Sequence, residues 1–262
     1  MILLLKIWQS SLGKKYIMAL SGGAMLLFVL GHMAGNLQFF LDPTYINAYG
    51  HFLQTTPEIL WTSRIGLLAM VGLHIAAAIS LTVSNRAARP VGYAGSLSSQ
   101  GSTLAARTMI WSGLVVASFI VYHLLHYTLT LPQVNGYQVF AGEALDFDGL
   151  VEPKTGYHDI FAMIVLGFRI PLVSGFYLLS VGLLSIHLGH GVASMFQSLG
   201  LRSYAWWPRI AALARILSVV IFVGYASIPV SVLLGRGSDY VNDVRTSGKP
   251  THVAPTSHSP SK

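Results

Sequence analysis

Of the ten histidines in the chain, six lie within long apolar stretches: His32, His74, His123, His126, His187 and His190. An ionisable side chain in hydrocarbon is costly and by default marks a functional position. A single such histidine is most simply a partner in an interhelical hydrogen bond. Six of them, spread over four apolar segments, exceed what packing requires. A neutral imidazole is a metal ligand through either ring nitrogen. The chain has no cysteine, which excludes disulfides, thiolate nucleophiles, covalent c-type haem attachment and cysteine-ligated iron–sulfur clusters. Any redox group held here must take its ligands from histidine.

Depth along the segments sharpens this. At 1.5 Å per helical residue, His32 lies 17 residues after Lys15, roughly 25 Å in, and His123 lies 16 after Arg107, roughly 24 Å. His74 lies 12 residues before Arg86 and His190 lies 12 before Arg202, both roughly 18 Å deep. Four helices therefore offer two level pairs, His32 with His123 and His74 with His190. Bis-histidine haem needs this: two neutral imidazoles reaching one iron from opposite faces, at one height, from facing helices. His126 and His187 each sit three residues from one of these four on nearly the same helix face, and spacing alone leaves them open as ligands or as partners of a propionate, a quinone or another helix.

Five apolar segments must position these residues, at about 16–40, 63–84, 108–131, 160–194 and 210–235. Each can cross a hydrocarbon core of about 30 Å. The fourth is longer than needed, so it is expected to tilt or to extend beyond the lipid, with a kink at Pro171. Composition agrees: 53% of the 262 residues are hydrophobic and 10% charged, with mean hydropathy +0.60, against about 25% charged in soluble domains. The fold expected is all-α and integral to the membrane, five transmembrane helices forming a haem-binding bundle. Residues 1–14 read as an N-terminal interfacial segment without the charge order of a signal peptide, 15–236 as the bundle, and 237–262 as a flexible tail rich in Ser, Pro and Thr.

The net charge of +7 comes from short clusters between apolar runs, which fit a membrane surface and not nucleic acid. Lys6, Lys14 and Lys15, then Arg86, Arg89 and Arg107, then Arg202 and Arg209, mark one side as cytoplasmic by the positive-inside rule, while all nine acidic residues fall on the other. This puts the N-terminus inside and the C-terminus outside. Gly31 and Gly35 bracket His32 four residues apart, which permits close approach of a flat macrocycle or of another helix. Arg64 and Arg169, near outer span ends, could pair with haem propionates or snorkel to headgroups. Glu58 could exchange protons at a quinone site or stand as a solvated loop residue.

Several stretches together resemble the cytochrome b558 subunit family of succinate dehydrogenase and fumarate reductase. They are Lys15-Tyr16-Ile17-Met18-Ala19-Leu20-Ser21-Gly22 and Gly31-His32-Met33-Ala34-Gly35-Asn36-Leu37, Gly72-Leu73-His74-Ile75, Tyr122-His123-Leu124-Leu125-His126-Tyr127-Thr128, and His187-Leu188-Gly189-His190-Gly191 followed by Ser194-Met195-Phe196-Gln197-Ser198-Leu199-Gly200. The resemblance covers nearly all of residues 11–235. It implies a five-helix anchor holding two haems b stacked across the membrane, bound to a flavoprotein subunit and an iron–sulfur subunit. It implies His32, His74, His123 and His190 as axial ligands, with His190 preferred over His187 because a glycine follows it. The function expected is electron transfer between the iron–sulfur subunit of a succinate:quinone oxidoreductase and a membrane quinone, of the menaquinone-using kind, with no succinate chemistry in this chain. The competing expectations are a di-haem quinol-oxidising anchor of another respiratory complex and a non-redox transporter with intramembrane histidines.

Overall fold

The computed structural model describes residues 2–88, 104–131, 150–152 and 154–246. Arg89, Glu143, Asp146, Asp148, His252 and His258 lie outside them. The described residues are helical, apart from turns and one isolated bridge between Val151 and His158.

A short helix α1 (Ile2–Gln9) folds back on α2 (Ser11–Asn36). Ser10 caps α2 by accepting from the Gly13 amide at 2.9 Å. A Cβ on Gly13 would collide with the Ile7 carbonyl, so the tight reversal needs glycine there. After a 3-10 turn (Leu37–Phe40), helix α3 (Pro43–Thr55) leads into α4 (Pro57–Ala87). Next come α5 (Leu104–His123), continued by a π-helical turn (Leu124–Thr128), then α6 (Ile160–Phe168), α7 (Pro171–Ser198), α8 (Trp207–Leu233) and α9 (Ser238–Thr246). Five helices are long and apolar enough to cross a membrane: α2 with its 3-10 turn, α4, α5 with its π turn, α7 and α8. Their outward faces carry Leu20, Leu27, Leu68, Leu179 and Val219, all exposed, as a hydrocarbon solvent allows.

Close packing runs in the order α4–α2–α7–α5, with α8 laid against α7 and α2. Within the first four, α2 and α5 are next-but-one neighbours, and so are α4 and α7. Tyr225 of α8 fastens it by donating to the Val29 carbonyl of α2 at 2.7 Å.

Two expectations are corrected at the end of the bundle where α2 finishes. The apolar run 160–194 is not one kinked span. Its first nine residues form α6, about 13 Å long and too short to cross. Pro171 does not kink a helix; it begins one. It occupies the first turn of α7, where its missing N–H costs nothing, and it holds Ile170 in an extended conformation (φ −84°, ψ 111°). Residues 161–168 of α6 are all buried, under α3, α7, α8 and α9. The second correction is the start of the tail. Residues 238–246 form α9, whose Val241 is 1% exposed and whose Tyr240 ring packs edge-on to Phe161 at 5.1 Å. A nine-residue amphipathic piece is easily lost in a polar composition.

The cap of α3, α6 and α9 is joined by one buried carboxylate. Asp159 caps α6, accepting from the Ala162 amide at 2.9 Å, and also accepts from the Asn47 side chain of α3 at 3.2 Å and the Tyr240 hydroxyl of α9 at 2.7 Å. Asn47 returns a bond by accepting from the Phe161 amide at 3.0 Å. Burial, and then the bond to Asp159, push the Tyr240 phenol well above its ordinary range, so it remains the donor. Replacing Asp159 with Ala removes a cap and strands two buried donors, an expected loss of roughly 2–4 kcal/mol. Y240F should cost about 1 kcal/mol. Thermal unfolding in detergent would rank the two, and equal melting temperatures would refute the assignment.

Candidate functional site

The apolar bundle encloses two groups of imidazoles. At the capped end, His32 of α2 faces His123 of α5, with ring centroids 5.9 Å apart and planes at 78°. Deeper in the bundle, His74 of α4 faces His187 of α7, with centroids 6.5 Å apart and planes at 62°. Each pair thus joins two helices that are next-but-one in the packing order. Counting between Ser21, which touches His74, and His32 on α2 gives 11 residues, an axial offset of roughly 16 Å between the groups.

His187, not His190, stands opposite His74. The Nε2 of His190 instead pairs with the hydroxyl of Ser194 on its own helix at 3.1 Å. The reason lies in where the helices end. Arg86 is within the last turn of α4, whereas Arg202 lies beyond the end of α7 at Ser198. Depth counted from Arg202 therefore overstates the helix. Measured from the helix ends, His74 is 13 residues in and His187 is 11, but His190 only 8.

The surroundings set the imidazole protons. The Nδ1 of His74 is 3.2 Å from the Met18 carbonyl, which can only accept, and 3.2 Å from the Ser21 hydroxyl. Ser21 directs its own proton to the Ile17 carbonyl at 2.7 Å. The Nδ1 of His187 is 3.1 Å from the Ser112 hydroxyl, which donates to the Met109 carbonyl at 3.1 Å. Both inner histidines therefore carry the proton on Nδ1 and leave Nε2 bare. Glycines make room for the rings: a Cβ on Gly22 would lie 3.2 Å from His74, and one on Gly113 3.4 Å from His187.

The outer group is built differently. His32 stacks on Phe28 at 5.3 Å. His123 and His126 both turn Nδ1 toward the Tyr177 hydroxyl, at 3.4 and 2.9 Å. The π turn makes this possible, because its wider winding swings His126 into the core, where it is fully buried. Turns of this kind are frequent at functional sites. Thr130 closes the segment at φ 46°, an uncommon conformation for a β-branched residue.

The remaining sequence candidates divide. Gly31 has open space where a Cβ would stand, while a Cβ on Gly35 would lie 2.8 Å from the Tyr49 ring, so Gly35 serves the contact of α2 with α3. Arg64 is exposed and lies over the Trp61 ring at 5.3 Å. Arg169 donates to the Ser238 carbonyl at 3.1 Å and so anchors α9. Glu58 is exposed in the first turn of α4, where its charge suits the helix dipole. Sequence reading gave no role to Ser21, Ser112 or Tyr177, and no local spacing signals one, because each meets a histidine of another helix more than 50 residues away.

The arrangement fits a planar iron macrocycle. Imidazoles bound to opposite faces of one iron, at about 2 Å per bond, have centroids roughly 6 Å apart, which both pairs match. The chemistry of the inner donors agrees: two imidazoles that carry the proton on Nδ1 and leave Nε2 bare, in an apolar setting. A pair of histidines suffices only where the other equatorial ligands come with the cofactor.

A Cβ on Gly167 would collide with the Tyr127 hydroxyl and lie 3.3 Å from His126. G167A should therefore displace the outer cluster and cost roughly 1–3 kcal/mol. The check is thermal unfolding in detergent, with an unchanged midpoint counting against the packing described.

No family model, curated protein or solved structure matches the chain.

Proposed function

We propose that this chain is the membrane-anchor cytochrome b of a succinate:quinone oxidoreductase, holding two haems b between His32 and His123 and between His74 and His187. The observation that carries the reading is the pair of facing imidazoles on four separate helices, at two levels and at bis-ligand separation. The sequence resemblance supplies the particular complex. Its basic ends face the cytoplasm, so the inner pair lies nearer a cytoplasmic iron–sulfur subunit and flavoprotein, and the outer pair lies under the cap of α3, α6 and α9. The haems, when bound, supply one-electron transfer between that subunit and a membrane quinone of the menaquinone kind.

The protein's own part is positional. Four helices fix the imidazoles in depth, so the two irons are held at a set spacing. Seryl and carbonyl groups fix the inner tautomer. Apolar walls keep water from the ligands and so bear on the potentials. A transporter reading has less support: a relay needs polar groups linked along a path across the membrane, whereas the inner and outer groups of histidines are set roughly 16 Å apart along α2.

The test is haem content by pyridine haemochrome with reduced-minus-oxidised spectra, on the wild type and on single His→Ala variants. Two haems per chain are expected in the wild type. H32A and H123A should each lose the same one, H74A and H187A the other, and H190A should keep both. A wild-type preparation without haem would end the reading, and loss of a haem in H190A but not in H187A would restore the ligand set the sequence favoured.

A further inference from the structure

The two inner histidines are supported by the same device, used twice. On α2 the dipeptide Ser21-Gly22 meets His74: the hydroxyl reaches Nδ1 and the glycine leaves space for the ring edge. On α5 the dipeptide Ser112-Gly113 meets His187 in the same manner. In both helices a histidine of the outer pair follows the serine by 11 residues, His32 after Ser21 and His123 after Ser112. Thus α2 and α5 each support an inner histidine borne by a neighbouring helix and supply an outer one themselves. The helices being supported also correspond, since α4 and α7 both begin with proline, 17 residues before His74 and 16 before His187. The pairs α2 with α4 and α5 with α7 thus share one arrangement of serine, glycine, histidine and proline, spread too thinly over side chains to be seen as sequence similarity.

We propose that Ser21 and Ser112 are positioning residues of the inner haem, each accepting the Nδ1–H of one axial histidine and so presenting its bare Nε2 to the iron. This rests on the di-haem reading above. Both hydroxyls are suited to it because their own protons go to carbonyls one turn back, at Ile17 and Met109, which turns a lone pair toward the imidazole. An acceptor on Nδ1–H makes the imidazole a stronger donor to iron, favours the ferric state and lowers the potential. The outer pair lacks this serine support: Tyr177 is shared by His123 and His126, and His32 is held by ring stacking. The serines therefore bear on one haem only. Within the inner pair their effects are unequal, because His74 keeps the Met18 carbonyl at 3.2 Å when Ser21 is lost, whereas the described partner of the His187 Nδ1 is Ser112 alone.

The experiment is potentiometric titration of the full-length, haem-loaded protein, with low-spin ferric EPR, on wild type, S21A, S112A and S112T; S118A, which alters an exposed serine of α5 bonded only to its own helix, is the control. The inner haem is identified as the one missing from H74A. S112A should shift its ferric preference roughly tenfold, an upward move of about 59 mV for a one-electron couple. S21A should move it less, S112T should return it toward wild type, and the outer haem should stay in place throughout. Loss of the inner haem in S112A with retention in S112T supports the proposal equally. It is overturned if S112A titrates as wild type, if the outer haem moves instead, or if S112A and S112T lose the haem alike. A wild type without haem overturns the underlying reading, and is told apart by the spectrum before any serine is changed.

Discussion

Everything in this bundle follows from the cost of placing imidazole in an apolar medium. A ring nitrogen with no partner there loses its water and gains nothing. Each histidine of the inner group escapes that cost on one side through a hydroxyl or carbonyl of a neighbouring helix. On its other side each ring faces its counterpart across the bundle, with centroids 6.5 Å apart. In the proposed di-haem site, an Nε2 kept bare by the orientation of its own ring's proton would be a ligand prepared in advance. The helices then have little freedom: moving α4 or α7 by one residue along its axis would break the Nδ1 contact and misalign the pair together.

That constraint explains the packing order. In the proposed di-haem site, axial ligands would come from opposite sides of a flat group, and so from helices that do not lie directly against each other. The chain meets this by packing α4–α2–α7–α5 and taking each pair from next-but-one members. Each inner histidine is supported from a helix packed directly against its own: α2 touches α4 through Ser21 and His74, and α5 touches α7 through Ser112 and His187. α8 carries none of the paired histidines. It backs α7 and α2 and, through Tyr225, clamps α2 close to His32.

The capped end shows a different solution to the same cost. There the buried polar groups are satisfied among themselves, Asp159 with Asn47, Tyr240 and the amide of Ala162, while the exposed Arg236 donates to the carbonyl of Phe40 at 2.8 Å. These bonds hold α6 and α9 over the outer histidines. Arg169, which in sequence looked available to a propionate, belongs to this fastening through Ser238.

Five spans, the absence of cysteine chemistry and the approximate levels of the histidines were legible in the sequence, because hydrocarbon demands long apolar helices and tolerates few ionisable groups within them. His32, His74 and His123 could be set in register by counting from basic residues that lie in or near helix ends. For His190 the count ran from Arg202, which lies past the last turn, and the packing of α7 against α5 and α2 sets His187 opposite His74. Likewise Pro171 looked like a kink until α6 was seen to stop before it, and α9 was hidden in a polar composition. Hydropathy acts on every residue of a segment at once and can be summed along the chain. Helix rotation, tautomer and the partner of one hydroxyl depend on contacts between residues tens to more than a hundred positions apart, and these exist only once the helices have packed.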